Sequence, residues 1–259
     1  MAESEATGEI GEIFADIREA MNIPLVTSIW RILAGIDGAL AATWHVAGPV
    51  IRSGQVDASA ARLHDEVSWP EPARAFSGPA GDDLETIRAI VAAYTRSNTL
   101  TLLVLSALID DPVGEPSNLR VPAAPAAWPE LPALQEHDRI DARTWALIEQ
   151  VNRIGATPDE PGVATLWRHL AAWPDVLATI SAGVAPLQTE GSYGVALATT
   201  QSIVAAEAGR LAHLRSAAAV PAAARARIEP YVRHPGLVQR MVVIGGIVTC
   251  WLEEAESNR

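Results

Sequence analysis

An internal repeat constrains the fold of this 259-residue chain more than any other feature. Pro24–Ala34 reads PLVTSIWRILA and Pro161–Ala171 reads PGVATLWRHLA, a spacing of 137 residues that holds without a gap across more than 30 residues. Chance gives scattered Ala and Leu matches, but rarely a Trp-Arg pair at a constant distance from a preceding proline. The repeat therefore predicts two homologous halves. The matched pairs are Ile17 and Ile154, Val26 and Val163, Trp30 and Trp167, Arg31 and Arg168, Leu33 and Leu170, Ala34 and Ala171, Leu40 and Leu177, and Pro49 and Pro186.

Helical periodicity runs through both halves. Apolar residues recur at spacings of three and four, as in the stripe Ile10, Ile13, Phe14 and Ile17. Residues 84–109 contain neither Pro nor Gly and predict one long helix or two abutting helices. Alternating β-branched segments joined by tight hairpin turns are missing, so the sequence predicts an all-α fold.

Connections between the helices are marked by proline and glycine. Asp111–Pro132 holds six prolines in 22 residues, which excludes both a helix and a central strand there. Ser68–Asp83 is a second connection, and Ala217–Arg227 a softer break around a proline. The predicted organisation is a repeat over 1–115, a Pro-rich linker over 116–132 and a repeat over 133–259, whose last helix, 238–253, corresponds to 87–109. Two such repeats are expected to pack as a pseudo-dimer with the site between them.

Charge and composition exclude several classes of function. The net charge of −12 disfavours nucleic acid and anionic membrane as partners. The chain has no lysine, which excludes a Schiff-base lysine and a P-loop. A single cysteine fits a reducing cytoplasm, where we expect the protein, and excludes a disulfide framework. Met1–Glu9 carries no targeting pattern, and the apolar runs 100–109 and 241–252 fall short of a membrane span. A homodimer is the assembly we consider.

Individual side chains with reactive chemistry have structural interpretations as well as functional ones. None of the six histidines stands at metal-ligand spacing, so surface or hydrogen-bonded core positions are the first interpretation. Cys250 lies in an apolar run and reads as a buried small hydrophobe. Gly245-Gly246 permits either close helix packing or space for a ligand, and Trp30 and Trp167 are either core anchors or the wall of a pocket.

A polar group interrupts the apolar segment 84–109. Its members are Arg96, Ser97, Asn98 and Thr101. They could cap a break between two helices or face a polar ligand. If Arg96 points inward, the ligand should be an anion, and an empty cleft should show the arginine paired with an acid or with water; if it points outward, a neutral apolar ligand is expected.

Several segments, taken together, resemble the group I DL-2-haloacid dehalogenase family. The resemblance spans nearly the whole chain in family order. The segments that carry it are Gly8-Glu-Ile, Ile13-Phe-Ala-Asp-Ile-Arg18, Ile23-Pro24, Trp30-Arg-Ile-Leu33, Trp44, Ala93-Tyr94 with Asn98 and Leu102-Leu103, Pro112-Val-Gly114, and Leu170-Ala-Ala-Trp-Pro174 with Val176-Leu177.

The resemblance implies an all-α fold of two repeats with the site between them. It also implies hydrolysis in which a carboxylate activates water, and the water displaces halide from C2 of a short 2-halocarboxylic acid without a covalent enzyme ester. Both enantiomers are accepted in the family, and no cofactor or metal is required.

The departures from the family alter the expected chemistry. Aligned without gaps from Trp173-Pro174, Leu166 occupies the position of the catalytic aspartate and Thr165 that of the preceding serine, and leucine cannot accept a proton from water. Asp159 or Glu160, in a short preceding loop, is an alternative base. Asn98 is retained, and Asn98 and Thr165 are the predicted catalytic residues. The predicted substrate-binding residues are Leu25, Ser28, Arg96, Thr101, Leu166 and Ile244.

Two functions follow from these residues. The first is a hydrolase-like enzyme on a small organic molecule, a carboxylic acid or an apolar compound, with a reaction or substrate altered from the family's. The second is a catalytically silent binding or scaffold protein with the same fold. An ionisable group beside Asn98 favours the first, and a collapsed apolar cleft favours the second.

Overall fold

The computed structural model describes residues 3–123, 126–157 and 162–257. The residues it describes form eleven α-helices and no β-strand, which confirms the predicted all-α class. The helices are α1 Gly8–Met21, α2 Ser28–Ala34, α3 Ala39–Arg52, α4 Gln55–Glu66, α5 Asp82–Ile109, α6 Ala142–Asn152, α7 Thr165–His169, α8 Pro174–Glu190, α9 Ser192–Leu211, α10 Ala222–Arg233 and α11 Arg240–Ser257.

The first helix shows how the sequence pattern becomes packing. Along α1 the buried side chains are Phe14, Ile17 and Met21, spaced three and four residues apart on one face. The helix ends at Asn22, which adopts a left-handed conformation with φ of 44° and donates its backbone N–H to the carbonyls of Arg18 and Glu19. Asparagine tolerates this conformation better than most residues, so it serves as the C-cap here.

Helix α5 is one unbroken helix of 28 residues. Three acidic residues in its first turn, Asp82, Asp83 and Glu85, complement the positive end of the helix dipole. Because no break separates residues 96–101 from their neighbours, the interpretation of this polar group as a cap between two helices is wrong.

The chain divides into two compact units, each built from three segments. Unit 1 comprises Met1–Val67, Arg96–Ala127 and Thr199–His234. In it α3 packs against α1, α2 and α4, and α10 packs against α2 and α3. Unit 2 comprises Ser68–Thr95, Trp128–Ala198 and Pro235–Arg259. In it α6 packs against α7 and α8, and α8 packs against α11.

These units are not the predicted sequence repeats, because α5 and α9 each contribute residues to both units. Several elements nevertheless recur at the 137-residue spacing. Helices α2 and α7 begin at Ser28 and Thr165, and α4 and α9 follow Gly54 and Gly191, whose φ angles are 73° and 87°. Prolines also lie inside both α3 and α8, at positions 49 and 186. The repeats over 1–115 and 133–259 and their pseudo-dimer relation stay a prediction.

One of the predicted connections between helices is found in the structure, and another is shorter than predicted. No helix begins among the described residues of the Pro-rich segment 111–132. The softer break predicted over 217–227 is shorter than expected, because α10 begins at Ala222 directly after Pro221. Proline at the entry of a helix lacks only an N–H that would be unpaired anyway, so the helix starts there rather than stopping.

The apolar C-terminal segment is longer than the run 241–252 suggested. Pro235–Ala255 is long and apolar enough to cross a membrane by length and composition, so the expectation that it falls short of a span is wrong. Of its most apolar window, 78% is buried inside the protein. A buried core helix passes the same test, and Val243, Ile244 and Ile247 have no exposed surface.

Candidate functional site

The eight predicted site residues lie in both units. Unit 1 holds Leu25, Ser28, Arg96, Asn98 and Thr101, and unit 2 holds Thr165, Leu166 and Ile244. A single site formed by all eight stays a prediction.

The Arg96 guanidinium donates hydrogen bonds to several groups within unit 1. Its Nη2 donates to Oδ1 of Asp57 at 2.5 Å and to the carbonyl of Met21 at 2.8 Å, and its Nε donates to the carbonyls of Met21 and Asn22 at 3.1 and 3.0 Å. The guanidinium therefore satisfies carbonyls at the end of α1 and an acid in the first turn of α4. A substrate anion would have to compete with Asp57 for this arginine.

Two contacts hold the residues directly after Leu25. Glu3 accepts the backbone N–H of Val26 at 2.8 Å, and the hydroxyls of Thr27 and Thr101 lie 3.1 Å apart. Thr101 has no exposed surface, and its hydroxyl orders the segment through this contact; its contact with a substrate stays a prediction. Leu25 itself is half-buried.

Asn98 differs from its polar neighbours. It is only 8% exposed, yet its side-chain amide makes no hydrogen bond with any residue that the structure describes. Its amide is not among the side-chain polar groups that are fully sealed from solvent. An amide offers two donors and an acceptor, and leaving them unpaired in a buried position costs about 1–3 kcal/mol.

Ser28 begins α2 on the surface of unit 1. Burial raises the pKa of the Tyr231 phenol above its ordinary value, and the Ser28 hydroxyl and the Arg31 guanidinium oppose part of that rise. The Tyr231 phenol therefore stays protonated. Sequence analysis did not single it out, because no motif links α2 to α10.

The unit 2 residues differ in how accessible they are. Thr165, the first residue of α7, is half-buried, Leu166 is buried, and Ile244 in α11 has no exposed surface. Ile244 would meet a ligand only after a rearrangement of its neighbours. The alternative bases Asp159 and Glu160 lie outside the described residues.

A histidine on α7 pairs with a tyrosine on α5 inside unit 2. His169 Nε2 lies 2.6 Å from the carbonyl of Pro132, and its Nδ1 lies 3.3 Å from the Tyr94 hydroxyl. A carbonyl only accepts, so Nε2 carries the proton and Nδ1 accepts from Tyr94. Burial lowers the pKa of His169 and the Pro132 carbonyl partly opposes this, so the imidazole is neutral at physiological pH. His169 fits the predicted hydrogen-bonded core histidine, whereas its partners could not be read from the sequence.

The entry to α7 is held by a second buried arginine. Arg240 donates from Nη1 to the carbonyls of Asn152 and Ile154 at 2.5 and 3.2 Å. The Asn152 side chain in turn accepts the backbone N–H of Ala164 at 3.0 Å, immediately before α7. Arg240 therefore satisfies the end of α6 much as Arg96 satisfies the end of α1. Sequence analysis missed it, since a lone arginine gives no sign of burial.

A buried acid also escaped the sequence analysis. Glu207 of α9 has no exposed surface and accepts from Ser59 at 2.7 Å and from Arg62 at 2.9 Å, all within unit 1. Its carboxylate is fully used in joining α9 to α4, so it is a packing element rather than a free base.

The remaining candidates have structural roles. Trp30 and Trp167 have no exposed surface, in agreement with core anchors, and Trp30 meets Trp44 edge to face at 5.7 Å. A Cβ on Gly246 would lie 2.5 Å from the Trp69 ring, which favours close packing as the reason for this glycine. Cys250 is half-buried, so the prediction of a buried cysteine is only partly correct; partial burial and the nearby Glu253 and Glu254 raise the pKa of its thiol, as expected of an unreactive thiol. Among the described residues no three His, Cys, Asp or Glu side chains form a group that could hold a metal ion.

Comparison with known proteins shows a shared fold. No protein-family model matches the chain, and no curated protein sequence matches it. Three solved structures match with probability 1.00. A D-2-haloacid dehalogenase mutant in complex with D-2-CPA has a TM-score of 0.76 and 15% identity, over 98% of this chain and 94% of that chain. A D-2-haloacid dehalogenase with L-LA has a TM-score of 0.73 and 16% identity, over 98% and 95%. A further D-2-haloacid dehalogenase mutant has a TM-score of 0.70 and 15% identity, over 100% and 95%. The haloacid dehalogenase-like fold that the sequence resemblance implies is therefore confirmed.

Proposed function

We propose that the chain is an enzyme that hydrolyses a small 2-halocarboxylic acid or a chemically similar substrate, with a longer and more apolar side chain than the short acids of the family it resembles. The fold supports the general class of site, since the similar solved structures are haloacid dehalogenases. Fold alone does not fix the reaction, so the residues must carry the argument.

The unpaired amide of Asn98 is the observation that carries this proposal. Asn98 is 8% exposed and its amide has no hydrogen-bonding partner among the described residues, which is costly unless water or a ligand completes it. Its N–H groups can donate to a carboxylate, and its oxygen can accept from a water molecule. Thr165, a half-buried residue of α7, stays a predicted catalytic residue.

The altered reaction follows from Leu166. An alkyl side chain has no lone pair, so the step in which water loses a proton needs another acceptor. We therefore expect little halide release from 2-chloropropionate. Leu25, Ser28, Thr101 and Ile244 stand at aligned pocket positions and carry no aromatic ring, which favours a larger aliphatic substrate.

A catalytically silent binding protein is the second candidate function. It is favoured by the buried leucine at position 166 and by the hydrogen bonds that commit Arg96 and Thr101 to packing. The same Asn98 amide would then bind a ligand without turning it over. The two candidates differ in halide release and agree in ligand binding.

Halide release from a series of substrates of increasing chain length distinguishes the enzyme from the silent binding protein. Wild-type protein is incubated with both enantiomers of 2-bromoalkanoates from propionate to octanoate, and bromide is measured by ion chromatography. We expect release that rises with chain length and a loss of about 100-fold in Asn98→Ala, the scale of losing one positioned donor. Asn118→Ala, which removes an exposed asparagine, is the matched control and should behave as wild type.

Equal rates in wild type and Asn98→Ala would remove Asn98 from the site. Absence of bromide release across the whole series, with saturable binding of one of these acids, would establish the silent binding protein instead.

A further inference from the structure

We propose that the Tyr94–His169 pair is the proton acceptor of this protein and takes the place of the carboxylate that Leu166 cannot supply. The inference rests on the proposed function, because it assigns the step that the function leaves without a base. It is carried by the geometry of unit 2, where a phenol, an imidazole and a backbone carbonyl form one chain of hydrogen bonds.

The hydrogen-bond chain has a defined direction. The short contact between His169 Nε2 and the Pro132 carbonyl, 2.6 Å, fixes the proton on Nε2. The lone pair of Nδ1 is left as the acceptor for the Tyr94 hydroxyl at 3.3 Å. The phenol therefore donates to the imidazole, and its oxygen keeps lone pairs with which to accept a hydrogen bond.

The imidazole is held in the form that a base needs. Burial lowers the pKa of His169, so Nδ1 is unprotonated at neutral pH. Tyr94 is the titratable group in contact with the ring, and the neighbouring Arg168 is turned to the Gln135 carbonyl and the Glu136 carboxylate. The Pro132 carbonyl stabilises the imidazolium that forms when Nδ1 takes a proton.

Helical spacing places His169 near Leu166, which stands at the family's catalytic position, and Tyr94 near Asn98. Leu166 and His169 are three residues apart in α7, and Tyr94 and Asn98 are four residues apart in α5. The two side chains of each pair therefore lie on the same face of their helix. His169 is thus one turn along α7 from the position of the missing carboxylate, and Tyr94 is one turn along α5 from Asn98.

The proton then has a complete route. As the oxygen of water bonds to C2 of the substrate, the C2–halogen bond breaks and halide leaves with the bonding electron pair. The water passes one proton to the Tyr94 oxygen, while the phenolic proton moves to Nδ1 of His169. The products are the 2-hydroxy acid, halide and an imidazolium, which returns its proton to solvent.

Two variants and a direct measurement on the ring test this assignment. His169→Gln removes the acceptor, and Tyr94→Phe removes only the hydroxyl while it keeps the packed ring. Both are compared with wild type on the 2-bromoalkanoate that wild type hydrolyses fastest, and His45→Gln, at an exposed histidine, is the control. We expect kcat to fall about 100-fold in both variants with KM little changed, the scale of losing a general base. The decline of kcat at acidic pH should disappear in His169→Gln.

The ring measurement needs no substrate. Nitrogen-15 NMR of histidine-labelled protein should show His169 protonated at Nε2 and unprotonated at Nδ1, with a titration that shifts in Tyr94→Phe. A proton on Nδ1, or a His169→Gln rate within twofold of wild type in a folded variant, would overturn the inference and leave the proposed function standing. Absence of bromide release from wild type would overturn the function and the base role together.

Discussion

The guanidinium of Arg96 lies 2.5 Å from the carboxylate of Asp57, and the same guanidinium donates to two carbonyls at the end of α1. One side chain of α5 thereby joins α1 and α4 in unit 1. Its partners lie just before the segment that carries Leu25, so Arg96 positions a predicted pocket residue through the backbone.

Removing this arginine should destabilise the protein. Arg96→Ala removes the donor that Asp57 and the carbonyls of Met21 and Asn22 share, and we expect the free energy of unfolding to fall by on the order of 2–3 kcal/mol. Arg120→Ala, at an exposed arginine, should change it by less than about 0.5 kcal/mol. Urea denaturation measures both, and equal stability of the two variants would show that the Arg96 contacts contribute nothing.

Two glycine-to-alanine changes should act in opposite directions. A Cβ on Gly246 of α11 would lie 2.5 Å from Trp69, whereas a Cβ on Gly194 of α9 would meet nothing within 4 Å. Gly246→Ala should therefore cost about 1–3 kcal/mol through overpacking, although alanine is the better helix former. Gly194→Ala should stabilise by about 0.4–1 kcal/mol. Thermal unfolding followed by circular dichroism compares them, and a stabilising Gly246→Ala would exclude close packing at that glycine.

Acid should destabilise the protein through His169. Its folded-state pKa is lowered by burial, so between the ordinary histidine value and the folded value the unfolded chain binds more protons. Stability is therefore fully present above the unfolded pKa and is lost as the pH falls through this window. In His169→Gln the slope of unfolding free energy against pH over the same window should decrease. A slope identical to wild type would mean that His169 titrates as it does in the unfolded chain.

Restoring a carboxylate at position 166 should restore activity on a short substrate. Leu166 is buried, so Leu166→Asp should cost stability while it supplies an acceptor for the proton of water. We expect chloride release from 2-chloropropionate to be low in wild type, to increase in Leu166→Asp, and to stay low in Leu166→Asn, which has the same size without a basic oxygen. Rapid chloride release by wild type would contradict this account, and Asp159 and Glu160 would then be the next residues to replace.

Much of the helical architecture could be predicted, because apolar periodicity is a local property of the sequence. The spacing that pairs Trp30 with Trp167 also pairs the first residues of α2 and α7, and both tryptophans are buried. Boundaries were harder to place where proline begins a helix instead of ending one, as at Pro221.

The polar contacts inside the units could not be predicted in the same way. Glu207 meets Ser59 across 148 residues of sequence, and Tyr94 meets His169 across 75. A charged or titratable residue reads as a surface residue until its distant partner is known, because burial is tolerated only when that partner satisfies it. Asn98 could be named from the family resemblance, but only the structure shows that its amide is left unpaired by the described residues.

The side-chain amide of Asn98 offers the most direct test of the central claim that this residue binds a small carboxylate ligand. Its two N–H resonances can be assigned in nitrogen-15 NMR spectra by their loss in Asn98→Ala, and then followed as 2-bromohexanoate is added. The account predicts that these resonances shift in a saturable way while those of the exposed Asn118 do not. Unchanged Asn98 resonances at saturating ligand would contradict it.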